Sequence, residues 1–109
     1  MQLPNRALAV IAQEKLIDYL LNTRHKRGGT KARRLARFGY TVQNWIRFEA
    51  DIRGALKTEV DLVRTTEYGM RYEIRMTLQT PLGMPLTVLT IWQIDDGTDV
   101  PRLITLYPD

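Results

Sequence analysis

One histidine and one lysine, His25 and Lys31, lie six positions apart in the run TRHKRGGTKARRLARF, residues 23–38. Between Arg24 and Arg37 that run holds seven Lys or Arg and no acidic residue. Imidazole is the one side chain whose ordinary titration falls near neutral pH, so His25 is the natural general acid or base. Fixed cations around it suit metal-free cleavage of RNA by its own 2′-hydroxyl. A base takes the 2′ proton, Lys or Arg stabilises the pentacoordinate phosphate, and an acid protonates the leaving oxygen. Arg24, Lys26, Arg27, Arg33, Arg34 and Arg37 are the candidate RNA contacts around that centre. A solvated loop histidine and a solvated helix face of arginines are the alternative reading of the same residues.

Other chemistries are excluded or poorly supported by residue type. The chain has no cysteine and no serine, which removes disulfides, thiolates and serine nucleophiles. One histidine without cysteine gives no zinc set. Gly28-Gly29-Thr30-Lys31 lacks the strand-to-helix setting of a phosphate loop. Asp95, Asp96 and Asp99 read as a solvated acidic turn, with the wrong spacing for a calcium loop. Neither metal nor cofactor is expected.

At 109 residues the chain makes one domain, residues 1–109. Its charge is split: residues 1–58 carry 12 Lys/Arg against 4 Asp/Glu, and residues 59–109 carry 4 against 8. That dipolar distribution attracts a polyanion to one side and leaves the other for a different partner. No apolar run approaches a membrane span, and the absence of cysteine fits a reducing cytoplasm, so a cytoplasmic location is expected.

The elements that must position these groups follow from periodicity. Residues 1–12 are an extended lead-in or edge strand. Leu16, Ile17, Leu20 and Leu21 make one helical stripe from Glu14 to Leu21, with Tyr19 beside it. Gly28-Gly29 reads as a flexible turn, Thr30 as the N-cap of a helix over 31–38, and Gly39 as its left-handed terminator. Thr41 caps a third helix whose apolar positions Val42, Trp45, Phe48 (or Ile46), Ile52 and Leu56 carry it to about Lys57. Gly54 marks a break or close packing inside it. From Glu59 the period becomes 2. Met70, Tyr72, Ile74, Met76 and Leu78 form the dry face of a strand, and Arg71, Glu73, Arg75, Thr77 and Gln79 the wet one. LTVLTIWQI, residues 86–94, is apolar on both faces and should be central, covered twice or facing a partner. RLITLY, residues 102–107, closes the sheet. Both tryptophans fall at core positions. The expected fold is α+β, with two or three N-terminal helices packed on one face of a four-stranded antiparallel β-meander.

Several segments resemble a small bacterial family catalogued as a domain of unknown function. They are Leu3-Pro4-Asn5, Glu14 to Asn22, His25/Gly28/Lys31-Ala32-Arg33, Phe38 to Trp45, Thr90-Ile91-Trp92 and Val100 to Pro108. More loosely, helices followed by a four-stranded sheet resemble the barnase–EndoU–colicin–RelE class of metal-free ribonuclease toxins. That resemblance implies His25 and Lys31 as catalytic groups from the helical part, and Arg102, Thr105 and Tyr107 from the last strand. It also implies a small inhibitor protein as partner. The Glu–His pair of the barnase branch and the second histidine of the EndoU branch are missing, which leaves the His/Lys and Lys/Arg branches as the nearest. Two functions follow from the sequence. One is a small endoribonuclease, the toxin of a bacterial toxin–antitoxin pair. The other is a non-enzymatic module, antitoxin-like, immunity-like or RNA-binding, that uses the same basic face and possesses a partner or dimer surface along residues 86–94.

Overall fold

The computed structural model describes residues 1–109. Three helical pieces precede the sheet: a π-helical segment Lys15–Leu20, α1 Gly29–Arg37 and α2 Trp45–Ala55. Four strands follow, β1 Leu62–Thr66, β2 Gly69–Gln79, β3 Pro85–Asp95 and β4 Arg102–Pro108. They form one antiparallel sheet in the order β1-β2-β3-β4, the α+β meander that the change of period predicts. No helix is long and apolar enough to cross a membrane.

Strand alternation decides which face the helices cover. Tyr72, Ile74, Met76 and Leu78 of β2 are buried, as are Leu86, Val88, Thr90 and Trp92 of β3 and Leu103 and Leu106 of β4. Against this inner face pack Leu16, Leu20, Leu35, Phe48, Ile52 and Leu56 from the helical pieces. Trp92 is fully buried, and its indole N–H donates to Thr90 Oγ1 at 2.8 Å. The Thr90 hydroxyl in turn donates to the Ile74 carbonyl at 2.9 Å, so no buried donor of the pair is stranded. Trp45 is partly buried against the same core. α2 is further tied to the sheet by Arg47, which donates to Asp51 at 2.8 Å and to the Gln79 carbonyl at 3.0 Å.

Several local expectations give way. The first helix is π-helical: Leu21 N–H bonds the Leu16 carbonyl at 2.8 Å, an i to i+5 step. The wider turn lets Leu16, Leu20 and Leu21 all reach the core. The lead-in forms a 3₁₀ turn, Arg6–Leu8, and then a parallel bridge from Val10 to Arg102 at the β4 edge. The third helix opens with a 3₁₀ turn, Val42–Asn44, and its α-helical part ends at Ala55 without a break at Gly54, where a methyl group would meet nothing. Val42 and Ile46 are exposed, so Phe48 is the core residue of that turn.

The outer face of β3 carries no helix. Thr87, Leu89, Ile91 and Gln93 alternate with the inner residues there, facing the wet side of β2 and the outward residues of β4. Ile91 and Gln93 are nonetheless buried, at 7% and 4% exposure, because the neighbouring strands carry long side chains on that face.

Candidate functional site at the β4 edge

The site is assembled by two short connections. Asn22 to Gly28 turns the chain from the π-helical segment into α1, and His25 builds that turn from inside. Its Nδ1 accepts the amide protons of Arg27 at 3.0 Å and Gly28 at 2.9 Å, and its carbonyl accepts from Gly29 at 2.9 Å. His25 therefore closes the turn that leads into α1, which begins at Gly29 with Gly28 at the N-cap and no side-chain cap, so Thr30 lies inside the first turn instead of capping it. Thr30 Oγ1 instead accepts from Arg33 Nη2 at 3.3 Å. Two amides aimed at Nδ1 require a lone pair there, which places the ring proton on Nε2.

Gly28 and Gly29 are buried, and neither has positive φ. Their lack of a side chain serves close packing instead of flexibility. A Cβ on Gly28 would lie 2.7 Å from Cε1 of Tyr19, and one on Gly29 would lie 2.9 Å from the Thr23 carbonyl oxygen. Gly28 thus lets the Tyr19 ring pack closely against the start of α1, and Gly29 does the same for the Thr23 carbonyl.

Lys31, in the first turn of α1, extends between Tyr19 and β4. Its Nζ donates to the Tyr19 hydroxyl at 2.9 Å and to Thr105 Oγ1 at 3.1 Å, and sits 3.9 Å from the centroid of the Tyr107 ring. The His25 ring meets Tyr19 edge-on, with centroids 4.9 Å apart. No carboxylate pairs with Lys31. An ammonium held by two neutral hydroxyls and a ring face is fixed in position with no carboxylate to neutralise it. The Lys31 hydrogen bond is the main cause holding the Tyr19 phenol below its ordinary range, partly opposed by burial and reinforced by the charge of Lys31, by Thr105 and by Lys15.

Thr105 and Tyr107 reach this point because of an irregularity. The β3–β4 register shifts between Ile91 and Trp92: Trp92 faces Leu103, Ile91 faces Thr105, and Leu89 faces Tyr107. The extra residue, Ile104, keeps Leu103 and Leu106 in the core while Thr105 and Tyr107 stand on the outer side of an edge strand. Five side chains, Tyr19, His25, Lys31, Thr105 and Tyr107, thereby converge.

Arg102 does not join them. It lies one row beyond Thr105 towards the other end of β4, where its Nε and Nη2 donate to the Asp95 carboxylate at 2.7 and 3.1 Å. That bond, with a second from Gln93, holds the Asp95 carboxyl below the usual range. Among the candidate RNA contacts, Arg24, Lys26, Arg27, Arg33, Arg34 and Arg37 are all exposed. Arg33 is anchored to the Thr23 carbonyl at 3.1 Å, and Arg34 binds the Asp109 carbonyl. Arg24, Lys26, Arg27 and Arg37 form no ion pair, so their charge is available. Nowhere do three His, Asp or Glu side chains gather as a metal-ion set. Tyr19 is the residue that sequence reasoning passed over. Its signal was present as a polar-tipped aromatic beside the leucine stripe, but only the fold shows that it faces the lysine twelve positions later.

Fold and site define a class: a helix-backed antiparallel meander with a pre-positioned, unpaired lysine at its open edge. The chain belongs to the domain-of-unknown-function family DUF6883, which it matches over residues 2–109. No curated protein matches it. Among solved structures it is similar in fold to a chain of a contact-dependent growth inhibition toxin–immunity protein complex from Klebsiella pneumoniae 342. The TM-score is 0.72 at 16% identity, over 92% of this chain and 99% of that one.

Proposed function

We propose that this protein is a metal-free endoribonuclease and the toxin of a bacterial toxin–antitoxin or toxin–immunity pair. The observation that carries the reading is the unpaired Lys31 ammonium fixed between the hydroxyls of Tyr19 and Thr105 and the ring of Tyr107, in a setting of free cations. In the proposed reaction the scissile phosphate sits at Lys31. Tyr19, whose ionisation that lysine favours, acts as the phenolate and takes the proton of the 2′-hydroxyl to become the neutral phenol. The 2′ oxygen attacks phosphorus, the bond to the 5′ oxygen breaks, and the Tyr107 hydroxyl protonates that leaving oxygen. The products are a 2′,3′-cyclic phosphate and a free 5′-hydroxyl. Thr105 positions Lys31 and offers its hydroxyl to a non-bridging oxygen. His25, with its proton on Nε2, acts as a hydrogen-bond donor while its Nδ1 bonds hold the loop. This differs from the acid–base role its residue type suggests. Arg24, Lys26, Arg27 and Arg37 supply sequence-independent attraction to the RNA backbone.

The fold likeness to a chain of a toxin–immunity complex supports a small protein partner, and an inhibitor with acidic residues opposite Lys31 fits this surface. Incubating purified protein with tRNA and mRNA in EDTA, and assaying for cyclic-phosphate ends, tests the reading. Intact RNA in the absence of any partner would refute it and leave the basic face as a binding surface alone.

A further inference from the structure

One row of residues crosses all four strands on the outer face of the sheet: Arg64, Arg71, Gln93 and Arg102. The adjacent row ends in Thr105 of the Lys31 cluster. A cleft opens over the first row, lined by Tyr68, Arg71, Gln93, Asp95, Arg102 and Ile104. Its polar groups are mixed in sign. Arg71 Nε is buried and donates to nothing. Gln93 is 4% exposed, and its amide nitrogen is fixed on Asp95 at 2.7 Å. Asp95 accepts three hydrogen bonds, two from Arg102 and one from Gln93, of the roughly four that a carboxylate can take. Tyr68, from the β1–β2 turn, stands 66% exposed at the rim.

A phosphate fits this cleft poorly, because the Asp95 carboxylate faces it and already neutralises Arg102. A neutral planar group with an acceptor for Arg71 Nε, a donor for the last Asp95 lone pair and a face for Tyr68 fits well. Resting on the ribonuclease reading above, we propose that the cleft is a nucleobase subsite. It holds the base of a nucleotide flanking the scissile phosphate, stacked on Tyr68, with its edge read by Arg71 and Asp95. Two residues along a strand span about 6.7 Å, so a strand of RNA reaches this row from the Thr105 row within one nucleotide step. Ile104, the bulge residue that frees Thr105 and Tyr107 for the Lys31 cluster, lines this cleft too. One irregularity of β4 therefore shapes both sites.

The test uses binding alone, so that it stands apart from cleavage. A 2′-O-methyl hexanucleotide, which has no 2′-hydroxyl to attack, is titrated against the full chain at low salt. It is compared with a set in which each position in turn is abasic. Removal of one particular base is expected to weaken binding about tenfold, the scale of one base–aromatic stack. Tyr68→Ala and Arg71→Gln should each weaken the intact oligonucleotide and shrink that difference, whereas Lys31→Met should leave the difference in place. Equal affinity for all abasic forms would overturn the subsite, as would unchanged discrimination in Tyr68→Ala and Arg71→Gln or a failure of the wild type to bind the oligonucleotide. Discrimination by base in a protein that cuts no RNA would retain the subsite and reject the ribonuclease reading instead.

Discussion

Replacing Lys31 by methionine keeps most of the side chain's length and removes its charge. A unit charge about 4 Å from a phosphate oxygen contributes on the order of 4 kcal/mol at the effective dielectric of a partly exposed site. That corresponds to roughly a 10³-fold loss in cleavage rate. The Lys31 hydrogen bond is the main reason that Tyr19 is acidic for a phenol, and its charge adds to it, so the variant should also raise the Tyr19 pKa and deepen the loss at neutral pH. Stability should suffer much less. Lys31 gives up two hydrogen bonds to hydroxyls that water can replace, a net cost of about 1 kcal/mol. For a domain of this size, that lowers Tm by roughly 4 °C. The assay pairs single-turnover cleavage of a synthetic RNA in EDTA with a thermal melt and an ultraviolet titration of the phenols. A Lys31→Met protein that melts normally and cleaves within fivefold of wild type would refute the assignment of the site. So would a phenol titration that does not move.

Four further outcomes follow. Gly28→Ala should cut cleavage more than it lowers Tm, since the new Cβ, 2.7 Å from the Tyr19 ring, must displace that ring; a kinetic comparison with the Tyr19→Phe variant checks this. His25→Ala strands the Arg27 and Gly28 amides and should destabilise the fold by about 1–3 kcal/mol in urea melts, and a His25→Asn protein, with an acceptor near Nδ1, should recover part of it. Tyr40 is pushed up chiefly by burial, then by its 2.6 Å bond to Asp51, so its neutral form belongs to the folded state. Because the folded pKa is raised, this stability is whole below about pH 10, where an unfolded tyrosine titrates, and is lost as pH rises toward the folded value; Tyr40→Phe should flatten alkaline unfolding curves. Arg24→Ala and Arg37→Ala should each reduce the salt dependence of RNA binding by about 0.7 in the log–log slope, with no change in base discrimination.

Much of the fold was legible because it rests on local periodicity. Strict alternation from Met70 to Gln79 determined a strand with one dry face. The two-sided apolar run from Leu86 to Ile94 determined a central one, and Gly39, at φ 99°, ended a helix as its type implies. The basic run, with its lone histidine and Lys31, was equally plain, since charge and residue type need no coordinates.

What the sequence left open depends on contacts between distant residues. Lys31 meets Thr105 across a separation of 74 positions, and no spacing rule reaches that far. A one-residue shift in the β3–β4 register then decides that Thr105 and Tyr107 share the open side with Lys31, because a strand exposes alternate residues and a bulge resets the alternation. Arg102 looked equivalent to them in the linear sequence, and the acid facing it, Asp95, draws it away. His25 looked like a proton-transfer group by type, and two backbone amides make it the brace of the turn before α1. Residue types fixed which chemistry was available to the chain, and tertiary packing decided which of those residues stand close enough to perform it.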